Sequence, residues 1–426
     1  MRISTSMIYD LGVSGMQQQM SDLQKIQQQL ATHSRMLTPA DDPIAAAQAL
    51  EVSQSQSVNA QFTTNASSAT STLTSQESVL GQANDVLQNV RDLIISAGNG
   101  TLTNSQRSSM ATTVQGYYNQ LLGIANSTDS NGQYLFSGYK GSTTPFTQGA
   151  TGVTYNGDQG ERLVQISASS KVPVSSSGAE VFQQIRNGNG TFVTAANTAT
   201  PNTGTGVVSA GVVLNPASAA NIKNLSLSFD VTAGVTTYDI VDNTTGNSLL
   251  TGAAAAASGP YPRTFTSGSA INLQSQGAEP AFNFGAQLTI TGQPATGDVF
   301  TVKASSTNQD VFSTLQSLIT ALNTPVVGTA RTQLTNDLNT ALSNVDLAQS
   351  NIMNVRTKVG TTINAVDAQS TTNGALALQY TSTLSALQDL DYNKAISDMN
   401  LKQTSLTAAQ KSFVNVQGLS LFNYIN

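Results

Sequence analysis

"LTNDLNTALSNVDLAQSNIMNVRTKV", residues 334–359, places Leu334, Leu338, Ala341, Val345, Ala348, Ile352, Val355 and Val359 at alternating steps of four and three. That spacing puts all eight on one stripe of an α-helix, and sustained this long it is the pattern of a coiled-coil seam. At 1.5 Å per residue the stripe predicts a rod of about 39 Å. A helix of that kind must bury its apolar stripe against another element, so the search turns to partners elsewhere in the chain.

Upstream, Leu73, Gln76, Leu80, Ala83, Leu87, Val90 and Ile94 keep the same rhythm. Met110, Val114, Tyr117, Leu121 and Ile124 continue it beyond "SAGNGTLTNSQ" (96–106), where Gly98 and Gly100 predict a helix end and a turn. Each chain end carries one further stripe. The first runs Val13, Met16, Met20, Leu23, Gln27, Leu30, Ser34, Leu37; the last runs Ala395, Met399, Lys402, Leu406, Ala409, Phe413, Val416, Ser420, broken at Lys402.

Between these helical ends the period changes. Residues 133–304 are rich in Gly, Thr and Asn, with period-two runs in "VTYNGDQGERLVQIS" (153–167), "LSLSFDVTAGVTTYDIV" (225–241) and "AQLTITGQPATGDVFTVKAS" (286–305). Strand-forming residues flank short Gly-bearing turns in all three, which predicts β-hairpins. The fold class is therefore α+β: an elongated, multi-domain chain whose N- and C-terminal helices pair into a coiled-coil or helical-bundle rod, with an inserted β-rich domain.

"ATHSRMLTPADDPIAAAQAL" (31–50) interrupts the helical pattern. Thr38-Pro39 is expected to end the first helix, because the residue before proline is pushed out of the helical region. Pro43 suits the first position of the next helix with Asp42 as its cap, and Asp41 and Asp42 both favour its positive end. Thr38, Pro39, Asp41, Asp42 and Pro43 are thus expected to form an inter-domain corner. Capping accounts for the two aspartates better than metal ligation does.

Composition excludes several functions. The chain has 426 residues, of which only 10% are charged, and a net charge of -6. There is no basic footprint for nucleic acid or an anionic membrane surface. With no cysteine and one histidine, His33, neither a disulfide framework nor a Cys/His zinc site can be assembled. A serine triad has no credible base, His-Glu-x-x-His cannot occur, and "RNGNGTF" (186–192) lacks the Gly-Lys-Ser/Thr of a phosphate loop and reads as a turn. No cofactor or metal is expected. The start, "MRISTSMIYDLGVSG" (1–15), has no apolar run of signal-peptide length, and no stretch approaches the ~20 apolar residues of a membrane span.

The terminal stripes have few charges to support them as isolated helices, and their outer faces are Gln, Ser and Asn. They require partners, either each other or other copies of the chain. We expect them to be partly disordered in a free monomer and to assemble between subunits through Met16, Met20, Leu23, Leu30, Met399, Leu406, Phe413, Val416 and Phe422.

These features resemble the flagellin superfamily of the bacterial flagellum. The resemblance is carried by "SRMLTPADDPIAAAQAL" (34–50) and by "DYNKAISDMNLKQTSLTAAQKSFVNVQGLSLFNYIN" (391–426). "NGQYLFSGYKGSTTPF" (131–146), "VFQQIRNGNGTF" (181–192) and "GQPATGDVFTV" (292–302) place it nearer the members that join hook to filament than to flagellin itself. The resemblance implies a structural protein and not an enzyme. Export through the flagellar type III channel without a cleaved signal, and an extracellular place at the hook–filament junction, follow as expectations. So do the partners: further copies in a ring or helical assembly, the first hook-associated protein, flagellin, an export chaperone and the type III export apparatus. The layout implied is an inner tube of residues 1–42 with 385–426, a rod of 43–137 with 305–384, and an outer β-rich domain of 138–304. The competing expectation is a flagellin, the bulk subunit of the filament.

Overall fold

The structure is a computed structural model that describes residues 5–150, 152–197, 201–328 and 330–418. Its helices are α1 (Thr5–Thr32), α2 (Pro43–Ala97), α3 (Asn104–Ala125), the short α4 (Gly178–Phe182) and α5 (Pro216–Ala219), α6 (Val311–Asn323), α7 (Ala330–Gln388) and α8 (Tyr392–Gly418). Among the described residues every strand lies between Phe146 and Ala304. The chain is α+β, with helices at both ends and sheets in the middle. It divides into two compact units: Met1–Ser67 with Ile166–Ser170 and Ala368–Asn426, and Ser68–Gln165 with Lys171–Asp367.

In the second unit the two long predicted stripes are buried. Leu334, Leu338, Ala341, Val345, Ala348, Ile352, Val355 and Val359 are all buried, as are Leu73, Gln76, Leu80, Ala83, Leu87, Val90 and Ile94. Ion pairs along the rims fix the antiparallel register, with Arg91 Nε 2.7 Å from Asp346 Oδ1 and Arg356 Nε 3.0 Å from Glu77 Oε1. Buried Gln76 donates from its amide to Ser176 Oγ at 2.5 Å, while its Oε1 has no hydrogen-bond partner among the described residues. On α3 the expectation is off by one: Tyr118 is buried while Tyr117 is only half-buried, because Tyr118 packs edge-on against Phe312 of α6 at 6.0 Å. A capping box starts α3, with Thr103 Oγ1 accepting from Gln106 N at 3.2 Å and Gln106 Oε1 accepting from Thr103 N at 2.9 Å.

The sheets are antiparallel. One has the order 247–248, 235–242, 224–232, 299–304, 192–196, with 263–264 also on 235–242; the other centres on 283–291, flanked by 270–274 and by 207–208 and 212–213. One core draws on both: Phe192, Leu227, Phe229 and Phe300 from the first and Leu273, Leu288 and Ile290 from the second. Of the three predicted hairpins only 225–241 is one, turning through Ala233 and Gly234 at φ +53° and +80°, the doubly positive geometry that suits a two-residue turn. The other two runs hold strands that pair elsewhere. Strand 283–291 lies in one sheet and 299–304 in the other, and strand 152–155 pairs with 146–149 while 163–165 pairs with 171–173. Period-two spacing identified the strands, but pairing was decided by which face each could bury.

Candidate assembly site at the terminal helices

In the first unit α1 and α8 pack antiparallel, and three contacts of different chemistry fix their register. The Phe413 ring lies over Gly12, where a Cβ would come within 2.8 Å of Cδ2, and the Tyr9 ring lies tilted against it at 5.2 Å. Lys402 Nζ reaches Asp22 Oδ2 at 2.8 Å. His33 meets Tyr392 edge-on at 5.5 Å. Lys402, the break in the predicted stripe, is therefore a partner for Asp22, whose carboxyl is held below its ordinary range first by that hydrogen bond and then by one from Gln18.

The inward line of α1 runs through Gly12, Met16, Gln19, Leu23, Ile26 and Leu30, all at least half-buried, and not through Met20 and Gln27, which are exposed. Steps of three and four leave two adjacent lines to choose between. Gly12 decides, because only glycine lets the Phe413 ring approach. The structure brings Met16, Leu23, Leu30, Met399, Leu406 and Phe413 toward the helix pair, with Leu406 9% exposed. Met20 and Val416 lie on its outer surface at 52% and 55% exposure, and Phe422 falls outside the described residues.

The corner differs from expectation in where α1 stops. The helix ends at Thr32, before Ser34 and Leu37, and His33 takes the left-handed φ of +62°. Pro39 is not the terminator. The chain leaves the helix because its backbone pairs with the matching corner between α7 and α8: Arg35 N donates to Gln388 O at 2.8 Å and Leu390 N donates to His33 O at 3.2 Å. Arg35 Nη2 adds bonds to Leu387 O at 3.0 Å and Asp42 Oδ2 at 3.3 Å.

The two aspartates have separate tasks. Asp42 caps α2, which starts at Pro43, by accepting from Ala45 N at 3.0 Å. Asp41 faces the other way. Its Oδ2 accepts from Leu37 N and Thr38 N, both at 2.9 Å, and its Oδ1 pairs with Lys25 Nζ at 2.6 Å. Thr38 closes the turn by accepting from Asp41 N at 3.1 Å. Lys25 first, and then the two amides, hold the Asp41 carboxyl at about 2. A carboxylate with a depressed folded pKa contributes stability above its unfolded value, here 3.8, and loses it as pH falls through the folded one. We therefore expect the Asp41 bonds to the Leu37 and Thr38 amides to hold at pH 4 and to be lost between about pH 4 and pH 2. The Leu37 and Thr38 amide resonances, followed by NMR, should move in that window; a midpoint near 3.8 would remove Asp41 as the anchor.

The three internal blocks that carried the resemblance prove to be structural. Phe136 and Phe146 from 131–146 meet Phe182 from 181–192 at 5.4 and 5.7 Å, and Phe146 meets Phe312 at 5.4 Å, forming an aromatic cluster in the second unit. "RNGNGTF" is a turn, with Asn189 Oδ1 accepting from Thr191 N and Phe192 N and with Gly188 and Gly190 at positive φ. In 292–302, buried Asp298 accepts from Thr203 N at 2.7 Å, Gly204 N at 3.0 Å and Ala295 N at 2.9 Å, and so ties two loops together.

Among the described residues no group of three or more His, Cys, Asp or Glu is placed to hold a metal, and no helix is long and apolar enough to cross a membrane. What the terminal pair offers is a register-fixed two-helix surface with apolar side chains facing outward.

Residues 3–141 match the family model of the bacterial flagellin N-terminal helical region. The chain belongs to the flagellar hook-associated protein 3 (FlgL) family. It is 30% identical to flagellar hook-associated protein 3 of Legionella pneumophila, whose crystal structure superposes with a TM-score of 0.70 over 79% of this chain and 98% of that one. FlgL of Xanthomonas campestris is 28% identical with a TM-score of 0.67, over 78% and 99%. Flagellar hook-associated protein 3 of Escherichia coli strain K12 is 28% identical over 424 residues, 99% of both chains.

Proposed function

We propose that this protein is a structural subunit of the bacterial flagellum that joins hook to filament. The observation that carries the reading is similarity to hook-associated protein 3 along 99% of the chain. A solved relative from Legionella pneumophila is itself described as a flagellar junction protein. Residues 1–42 with 385–426 form the inner tube in this reading, 43–137 with 305–384 the rod, and 138–304 the outer domain. The outward residues of the terminal pair, Met20 and Val416 among them, then contact neighbouring copies, together with Phe422. The inward ones hold the pair in the shape that neighbours recognise. The first hook-associated protein on one side and flagellin on the other are the proposed axial partners, reached after export by the type III apparatus with its chaperone. Head-to-tail contacts of this kind continue along a helix and do not close into a dimer.

Immunogold microscopy with an antibody against residues 138–304 tests this. Label confined to the boundary between hook and filament is the expected result, and label along the whole filament would make the chain a flagellin.

A further inference from the structure

We propose that a cleft in the second unit is a docking site for a lysine or arginine side chain from a second copy of this chain. This rests on the self-assembling role proposed above. The cleft, about 910 Å³, is walled by Gly149 and Gly152 of the 146–155 hairpin, by α6, and by Asp337 to Asn344 of α7.

Among the described residues, its wall carries one buried acceptor without a partner and two half-buried carboxylates that face no cation. Gln309 is only 6% exposed; its Nε2 donates to Asn344 O at 2.7 Å, which fixes the amide orientation and leaves Oε1 with no hydrogen-bond partner. Asp337 Oδ1 receives a single bond, from Gln333 Nε2 one turn away at 2.8 Å. Asp310 Oδ1 caps α6 at Phe312 N, 2.8 Å, its carboxylate also accepts from the Ser313 backbone, and its Oδ2 has a long contact of 3.5 Å with Gln183 Nε2. Among the described residues neither aspartate forms an ion pair. Burial pushes both carboxyls above their ordinary range, so the fold bears two desolvated acids without a local cation.

Carboxylates drawn partly out of water are ordinarily paired with a cation, and a half-buried acid in a cleft without one leaves room for a partner's cation to arrive. An excess of acceptors calls for a charged group with several N–H donors, which a guanidinium or an ammonium supplies. A bare divalent ion fits less well, because the acids number two and the cleft is wide. The same unit also carries the complement: Lys171, Lys303 and Arg331 are exposed and, among the described residues, in no ion pair. A cleft on one copy and a cation elsewhere on the next make the head-to-tail contact that a helical stack requires.

The test is sedimentation equilibrium of the full chain and of Asp337→Asn at two salt concentrations. The substitution keeps the shape and an acceptor for Gln333, so thermal unfolding should be unchanged or slightly raised. Self-association should weaken by about tenfold and lose part of its salt dependence. Equal association and equal salt slope in both proteins would overturn the proposal, as would a wild-type chain that does not self-associate. Saturable calcium binding by wild type that is lost in Asp337→Asn would also overturn it, in favour of a metal site. If label stays at the junction while Asp337→Asn associates normally, the cleft fails and the functional reading stands; label along the filament with a weakened Asp337→Asn has the opposite meaning.

Discussion

Leu406→Asp is expected to abolish incorporation of the protein at the junction. Leu406 is buried where α8 faces α1, so the substitution removes an apolar side chain from the helix pair and leaves a carboxylate in its place. The nearest cation along α8 is Lys402, one turn away, and Asp22 already engages it at 2.8 Å. An uncompensated charge at such a site costs about 3–5 kcal/mol, more than a two-helix contact of this polarity can absorb. Leu406→Met preserves volume and should cost less than about 1.5 kcal/mol. Hydrogen exchange across residues 10–36 and 395–418 reads the local effect, and junction labelling reads incorporation. Full protection together with normal filaments in Leu406→Asp would remove the terminal pair from the assembly mechanism.

The parts of the fold that a single stripe determines were legible in the sequence. The 334–359 series is buried at every predicted position because a long helix with one apolar line has one way to pack. Asp42 and Pro43 were legible for a similar reason, since capping is decided within four residues. Three features were not. The end of α1 depends on hydrogen bonds to residues 388–390, more than 350 positions away, so the local proline signal pointed to the wrong stop. The choice between Met16–Met20 and Gly12–Met16–Gln19 as the inward line depended on Phe413, a residue from the other end of the chain. Hairpin pairing in the β region failed for the same physical reason: adjacent strands such as 283–291 and 299–304 were separated into two sheets by a core they share. A glycine at Gly12, in a helix where it costs about 1 kcal/mol relative to alanine, was the available signal for the terminal site.

Phe300→Ala should be the most damaging single truncation in the β-rich part of the second unit, at about 3–5 kcal/mol. The ring is fully buried on strand 299–304, which lies in the sheet between 224–232 and 192–196, so the side chain has no edge toward solvent. It stands edge-on to Phe229 at 5.7 Å, and Phe229 in turn contacts Tyr238 at 5.8 Å and Phe265 at 5.3 Å. Removing one ring from that chain leaves a cavity and also weakens an aromatic pair. The loss should not be repaired by collapse, because Gly206 already lies against the ring, where a Cβ would come within 2.8 Å of Cζ, and Pro294 closes beside it. Phe300→Leu retains most of the volume and is expected to recover a large part of the loss. Denaturant unfolding monitored by a probe in residues 192–304 checks the order wild type, Phe300→Leu, Phe300→Ala. Because the substituted side chain lies among the strands, the Leu37 and Thr38 amide resonances of the corner should keep their pH midpoint in both variants. A Phe300→Ala protein as stable as wild type would mean that the two sheets do not depend on this aromatic chain for their common core.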